Sequence, residues 1–361
     1  MTEPSDPLAA QPLEGAHALP AEYYRGSAAL ERDRRAVFAR SWQLVARDAL
    51  LDGPGDHAVA EVAGVPLLLV RGDDRVLRGL HNVCRHRAGP LALCDGRAAR
   101  RLRCQYHGWT YALDGRLASA PEMQSAEGFD LADNRLPEAA VAAWRGLVFA
   151  AIGPVPPLAQ LLAGIDERVG AHALAGCQWH GRTSYDIACD WKVYVDNYLE
   201  GYHVPHIHPE LNRMLDYRSY RTECARWHSL QWSPLESAGD LYGDGEALYY
   251  WLWPNTMLNI LPGRVQTNRV LPLGDGRCRV EFDFWYAPGV EPARAVRDLE
   301  FSDLVQREDV GICERVQRGI ASGSWRSGRL NPLRESGVHH FHELLREAYR
   351  EDRRDPRGEC A

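Results

Sequence analysis

Two short loops constrain this chain more than any other feature. Residues 82–111, NVCRHRAGPLALCDGRAARRLRCQYHGWTY, carry Cys84-x-His86 and, seventeen residues later, Cys104-x-x-His107. Two thiolates and two imidazoles can close a tetrahedron around one zinc ion or bridge two irons. Zinc fingers keep cysteine with cysteine and histidine with histidine, whereas each loop here is mixed.

Mixed loops suit a Rieske [2Fe–2S] centre, in which two cysteines hold one iron and two histidines the other. Imidazoles in place of thiolates raise the reduction potential. Gly108, with Trp109 and Tyr111 close by, fits a loop folded tightly against such a cluster and partly shielded from water. The rest of the chain looks like a globular protein. Its 361 residues suffice for one large domain or two ordinary ones. A net charge of −7 argues against nucleic acid as a partner, and no apolar run is long enough to span a membrane. The acidic, Pro/Ala-rich start, MTEPSDPLAAQPLEGAHALP, lacks the features of a signal or transit peptide and reads as a poorly ordered lead-in. Nine cysteines, an odd number, suggest reduced thiols and a cytoplasmic location.

Residues 22–45 read as a helix running into a strand. Short apolar runs punctuated by Gly and Asp then fill 46–150, with hairpins predicted at Gly72-Asp73-Asp74 and Asp114-Gly115. Prolines at 154, 156 and 157 mark a boundary. Beyond it, residues 190–203 look helical, 247–288 look like successive antiparallel strands, and 294–321 and 337–352 look like helices. The expected fold is α+β. An N-terminal antiparallel β domain (40–152) carries the cluster. A C-terminal domain (153–361) has an antiparallel sheet flanked by helices, and the lead-in and first helix (1–39) pack with it. Of the 42 basic residues one is a lysine, Lys192, whose compact ammonium suggests a task that a guanidinium fork cannot perform.

The cluster loops and the overall layout resemble the Rieske non-haem iron oxygenases, and the resemblance covers most of the chain. That family usually has Pro and Gly where this chain has Arg85 and Ala88; neither is a ligand.

A Rieske cluster moves single electrons, so an enzyme needs a second reactive centre. DNYLEGYHVPHIHPEL, residues 196–211, offers His203 and His208, five apart. Pro205 is expected to end the helix near His203, so that the following turn returns His208 beside it. His206 competes as a ligand, and the family pattern of His, four residues, His favours His208. A carboxylate would complete a two-His-one-carboxylate face open to O2. Val305, Asp309, Ile312, Val316 and Ile320 recur at helical spacing, which makes Asp309 the odd member of a buried face and Glu308 part of the polar side. The family's ligand aspartate matches Asp309.

Further roles follow from the resemblance alone. An acid three residues before the first iron histidine, here Glu200, would bridge it to a cluster histidine, His86 or His107, of the adjacent subunit in a homotrimer. Glu in this context looks like the members acting on quaternary amines, such as choline and carnitine monooxygenases. The resemblance implies a [2Fe–2S] cluster and one mononuclear Fe(II) per subunit. Electrons would come from NAD(P)H through a separate reductase or ferredoxin, since no dinucleotide fingerprint is present. Arg85, Arg87, Arg97, Arg100, Arg101 and Arg103 could steer such a partner. Tyr249, Trp251 and Trp253 alternate along one strand and could cage a quaternary ammonium by cation–π attraction; the alternatives are stacking on an aromatic substrate or simple core. The histidines of HHFHELL, 339–345, read as core and surface residues of the last helix. A Rieske electron carrier without catalysis would leave the second centre unexplained.

Overall fold

The computed structural model describes residues 6–170, 176–235 and 241–354. These form two compact units. One is Phe38–Pro156; the other joins the residues up to Val37 with those from Pro157 onward.

The Phe38–Pro156 unit is built from antiparallel strands. They are β1 (Gln43–Arg47), β2 (His57–Val62), β3 (Val65–Arg71), β4 (Leu77–His81), β5 (Leu102–Arg103), β6 (Thr110–Tyr111), β7 (Leu117–Ser119), β8 (Glu138–Trp144) and β9 (Leu147–Ala151). Six of them make one sheet in the order β1-β9-β8-β4-β3-β2, and β5-β6-β7 make a second. The run Leu67–Val70 is fully buried because β3 has cores on both faces. Leu68 and Val70 face the core that holds Cys84 and Cys104, while Leu67 and Leu69 face Val45, Ala58 and Val148. This is the period of two expected of a strand. Both predicted hairpins form, joining β3 to β4 and β6 to β7.

In the other unit, α1 (Ser27–Ala36), two short helices α2 (Leu158–Leu161) and α3 (Ile165–Val169), and β10 (Gln178–Ile187) come first. They are followed by α4 (Trp191–Tyr198), α5 (Val204–Ile207) and α6 (Pro209–Met214). Six further strands, β11 (Arg221–Cys224), β12 (His228–Pro234), β13 (Glu246–Leu252), β14 (Thr256–Leu261), β15 (Arg264–Gly274) and β16 (Arg277–Tyr286), precede α7 (Pro292–Ala321) and α8 (Ser336–Arg354). With β10 they make a seven-stranded antiparallel sheet, β10-β16-β15-β14-β13-β12-β11. Long α7 starts with a proline in its first turn, where the missing N–H has no helical partner to lose.

The first five residues of the lead-in lie outside the described residues, and from Asp6 onward it is not loose. Leu8, Ala16 and Leu19 are fully buried, Ala18 N–H donates to Gly328 O at 2.8 Å, and Arg346 Nη2 donates to His17 O at 2.7 Å. Its few apolar residues fill gaps beside α8, and its carbonyls satisfy a buried arginine. That side-chain demand lies more than 300 residues away and is invisible in local composition. Lys192 is fully buried as well. Its ammonium contacts Asp33 of α1 and lies 2.9 Å from Asp190 Oδ1, and Asp33 also accepts from Trp191 Nε1 at 2.8 Å. One ammonium thus ties the first helix to the N-terminus of α4, the helix that leads into the histidine segment.

Candidate functional site

The two cluster loops are built alike. Cys84 N–H donates to Gly89 O and Ala88 N–H returns to Cys84 O; Cys104 N–H donates to Trp109 O and Gly108 N–H returns to Cys104 O. Each tight turn needs a left-handed residue, Ala88 at φ 56° and Gly108 at φ 77°. Ala88 carries a steric cost of roughly 1–2 kcal/mol that glycine would not. Gly89 is required for another reason: a Cβ there would lie 2.9 Å from Cys104 Sγ. The two thiols are buried, each 3% exposed, whereas His86 and His107 stand outside with ring centroids 4.6 Å apart. His86 stacks on Trp109 at 4.9 Å. Tyr111 hydroxyl lies 3.4 Å from Cys84 Sγ and accepts from Arg85 N–H at 3.0 Å. Inner sulfurs with outer imidazoles fit the mixed donor set of a Rieske cluster. Of the six arginines near these loops, Arg97 is tied to Asp56 at 2.6 Å, and the others project into solvent.

The second group of donors lies in the other unit. His203, His208 and Asp309 bring one ligand atom each within 4.8 Å of one another, the one such group of three among the described residues. His208 Nε2 is 3.0 Å and His203 Nε2 3.8 Å from Asp309 Oδ1. Each outer imidazole nitrogen has its own carboxylate: His203 Nδ1 lies 2.6 Å from Glu200 Oε1, and His208 Nδ1 lies 2.7 Å from Glu308 Oε2. With each Nδ1 held by its own carboxylate, both rings aim Nε2 toward Asp309, the arrangement metal sites use to fix orientation. Burial pushes His208's pKa down, but the neighbouring Asp309 and Glu308 more than reverse this, so it lies above the usual imidazole value. Asn197 Nδ2 donates to Asp309 Oδ1 at 2.7 Å. Two imidazoles and one carboxylate, with the remaining side open to a cavity, suit one divalent iron. His206 is exposed and outside the group.

Three expectations need correcting here. Helix α4 ends at Tyr198, not near His203, and Pro205 does not break a helix. It sits in the first turn of α5, where proline is favoured, and that turn carries His208 back to His203. Glu200 caps this turn, its Oε2 accepting from His203 N–H at 3.0 Å. On α7 the buried stripe is Gln306, Cys313, Gln317 and Ile320 rather than Val305, Ile312 and Val316, and Val316 is 44% exposed. Asp309 still points inward, but Glu308 joins the site as well. The helix covers a polar site, so apolar periodicity misjudged its rotation. Finally, of the strand aromatics only Tyr249 lines the cavity beside the donor group. Trp251 is fully buried against Phe341 of α8, with centroids 5.3 Å apart, and Trp253 lies beyond the end of β13 against the same ring. The terminal helix covers that end of the strand.

The sequence reading missed most of the cavity. Tyr198, Tyr220, Tyr242 and Phe282 line it with Tyr249, and polar Arg264, Gln266 and Asn268 alternate along β15. Burial raises Tyr249's pKa to about 12 and lifts Tyr198 and Tyr220 well above the usual phenol value. These rings are neutral π faces at any physiological pH. Of the last helix's histidines, His342 is buried with Nε2 2.8 Å from Asp196 Oδ1, and His339 bonds Gln11 O.

Residues 41–137 match the Rieske [2Fe-2S] domain family, and residues 174–351 match the Ring hydroxylating alpha subunit (catalytic domain) family. The chain is 34% identical to a chloroplastic choline monooxygenase of Arabidopsis thaliana, over 92% of this chain and 83% of the relative. It is 30% identical to the carnitine monooxygenase oxygenase subunit of Escherichia coli K12, over 95% and 96%. A crystallised quaternary ammonium Rieske monooxygenase superposes with TM-score 0.85 at 27% identity, covering 94% of this chain and 99% of that one. The chain belongs to the Rieske non-haem iron oxygenases, a family of oxidoreductases. Within that family it groups with the choline and carnitine monooxygenases.

Proposed function

We propose that this chain is the terminal oxygenase of a Rieske-type system that hydroxylates a small quaternary ammonium compound. The observation that carries the reading is the His203–His208–Asp309 group opening onto a cavity walled by tyrosines. Cys84, His86, Cys104 and His107 would hold a [2Fe–2S] cluster, and His203, His208 and Asp309 one ferrous ion. When bound, the cluster supplies electrons singly and the ferrous ion activates O2. The protein's part is placement. Glu200 and Glu308 hold both imidazoles aimed at Asp309, and Asn197 pins the Asp309 carboxylate. Aromatic faces can hold a quaternary ammonium by roughly 0.5–2 kcal/mol per ring, which would present an N-methyl or adjacent carbon to the donor group. Glu200 is assigned as the hydrogen-bonded bridge to His86 or His107 of an adjacent copy in a homotrimer. Arg85, Arg87, Arg100, Arg101 and Arg103 form a basic rim on a protein of net charge −7, suited to an acidic NAD(P)H-dependent reductase or ferredoxin. No helix among the described residues is long and apolar enough to cross a membrane; a cytoplasmic location is part of the proposal.

The test is NADH-driven O2 uptake with a surrogate reductase on choline, carnitine, betaines and simple aromatics, alongside iron analysis. The reading requires uptake coupled to a quaternary amine in protein carrying three irons per chain. Uptake with aromatics alone would move the substrate to ring compounds. Two irons per chain in an active sample would remove the second centre.

A further inference from the structure

The far end of the cavity holds a cation that the donor group does not use. Arg264 opens β15 and lines the cavity with Gln266 and Asn268, its neighbours on the same strand face. The side chain is 6% exposed. Its Nη2 donates to Gln266 Oε1. Its Nε lies 3.0 Å from Asp298 Oδ2 but off the hydrogen-bonding line, which leaves that nitrogen buried without a hydrogen-bond partner. Nη1 makes no hydrogen bond among the described residues. Meanwhile Asp298 is engaged elsewhere: Tyr242 and Tyr286 hydroxyls both donate to it, the latter at 2.6 Å. The carboxylate's lone pairs are therefore shared between two phenols, and the guanidinium keeps donors to spare. A buried arginine stays protonated, and unmet donors on it are costly.

Resting on the function proposed above, we propose that Arg264 receives the carboxylate of a zwitterionic substrate. The cavity would then select quaternary ammonium acids of the betaine type over choline. Helix geometry supplies the ruler. Asp298 and Asp309 both lie on α7, eleven residues and so roughly 16 Å apart along its axis. Gln266, bonded to Arg264, also reaches Ser302 Oγ at 3.3 Å, a level roughly 10 Å from Asp309. The guanidinium thus lies between those two levels. An ammonium joined to a carboxylate by three methylenes spans roughly 5 Å. With a methyl over the donor group and a hydrogen bond at the far end, it can bridge the shorter part of that gap. Choline's hydroxyl, on a two-carbon arm, ends short of it and brings no charge to meet the guanidinium. Gln266 and Asn268 add neutral polar groups along the path. Tyr198, Tyr220 and Tyr249 wall the cavity with their neutral rings.

The experiment is anaerobic titration calorimetry of the iron-loaded protein. Three ligands are compared: γ-butyrobetaine, choline, and 5,5-dimethylhexanoate, the carbon isostere of γ-butyrobetaine that lacks its positive charge. The wild type should bind γ-butyrobetaine at least about 10-fold more tightly than choline. R264Q/D298N removes both charges together and leaves no orphaned ion. It should weaken both carboxylates by roughly 10- to 100-fold and leave choline within about threefold. R264K, which keeps the charge without the fork, should fall between. If the double variant does not fold, R264K and the wild-type comparison still decide. Equal binding of choline and γ-butyrobetaine by the wild type, or equal weakening of both in the variants, overturns the assignment. If 5,5-dimethylhexanoate binds as well as γ-butyrobetaine and still depends on Arg264, the carboxylate site stands and the quaternary ammonium reading falls.

Discussion

Replacing Lys192 with Met removes one ammonium and leaves two buried carboxylates facing each other. Asp33 and Asp190 are 0% and 5% exposed, so neither can recover its lost partner from water. Removing one member of a buried ion pair costs about 3–5 kcal/mol. For a unit of this size each kcal/mol moves Tm by about 2–4 °C, so the expected drop is on the order of 10 °C. The loss should also depend on pH. Burial already pushes Asp190 up to about 6, against the pull of Lys192 and with the push of Asp33. A carboxyl whose pKa is raised in the folded state favours folding most below its unfolded value and loses that contribution as pH rises through the folded value. Without the ammonium, that rise extends to higher pH, and the variant can neutralise itself in acid but not in base. Differential scanning calorimetry at pH 5.5 and 8 should therefore show the larger Tm loss at pH 8. Adding D33N, which keeps an acceptor for Trp191, should recover about half of the loss. A loss below about 1 kcal/mol, or the same loss at both pH values, would refute the view that Lys192 holds two charged carboxylates.

Other outcomes follow from the same contacts. D309A should keep the cluster's EPR signal while losing mononuclear iron and turnover; normal turnover would end the ligand assignment. Tyr111 stays protonated because burial and then Cys84 raise its pKa, so Y111F removes a donor to the sulfur. The cluster potential should fall by about 40 mV, the one-electron equivalent of about 1 kcal/mol. A redox titration showing no fall would contradict that hydrogen bond. Asp56 is held down at about 2 by the Gly53 N–H, Arg97 and the Ala98 N–H. A depressed carboxyl stabilises the fold above its unfolded value, and that support disappears as pH falls from about 4 toward 2. D56N should lower Tm at pH 7 and flatten its decline in that window, which acid melting curves would read.

What the sequence disclosed follows the range of each interaction. The cluster loops were legible because each pair of ligands lies within four residues, and their turns demand glycine or strain at Ala88 and Gly108. His203, His208 and Asp309 were legible as residue types at suggestive spacings. The path between the histidines was misjudged because proline both ends and begins helices, and only the following residues decide which. Glu308 was assigned to the solvent side by an apolar stripe, whereas the buried positions include Gln306, which lines the cavity, and Gln317, which accepts from Asp190 N–H. Arg264 and Asp298 meet across 34 residues, and no local pattern pairs them. One signal was available: Arg264, Gln266 and Asn268 put polar side chains on alternate positions of a strand, where a core strand would put apolar ones.

The order of the chain has a further consequence. Phe38–Pro156 forms a unit of its own, while the residues before and after it belong together. The entrance and exit of that unit touch: β1 pairs with β9, and a Cβ on Gly153 would lie 2.4 Å from Ala39 O. A segment that enters and leaves through one doorway can be lifted out or exchanged like a cassette, with a splice of few residues closing the gap. A truncation that simply starts at residue 38 would instead discard Asp33 and leave Lys192 without its partner on the first helix.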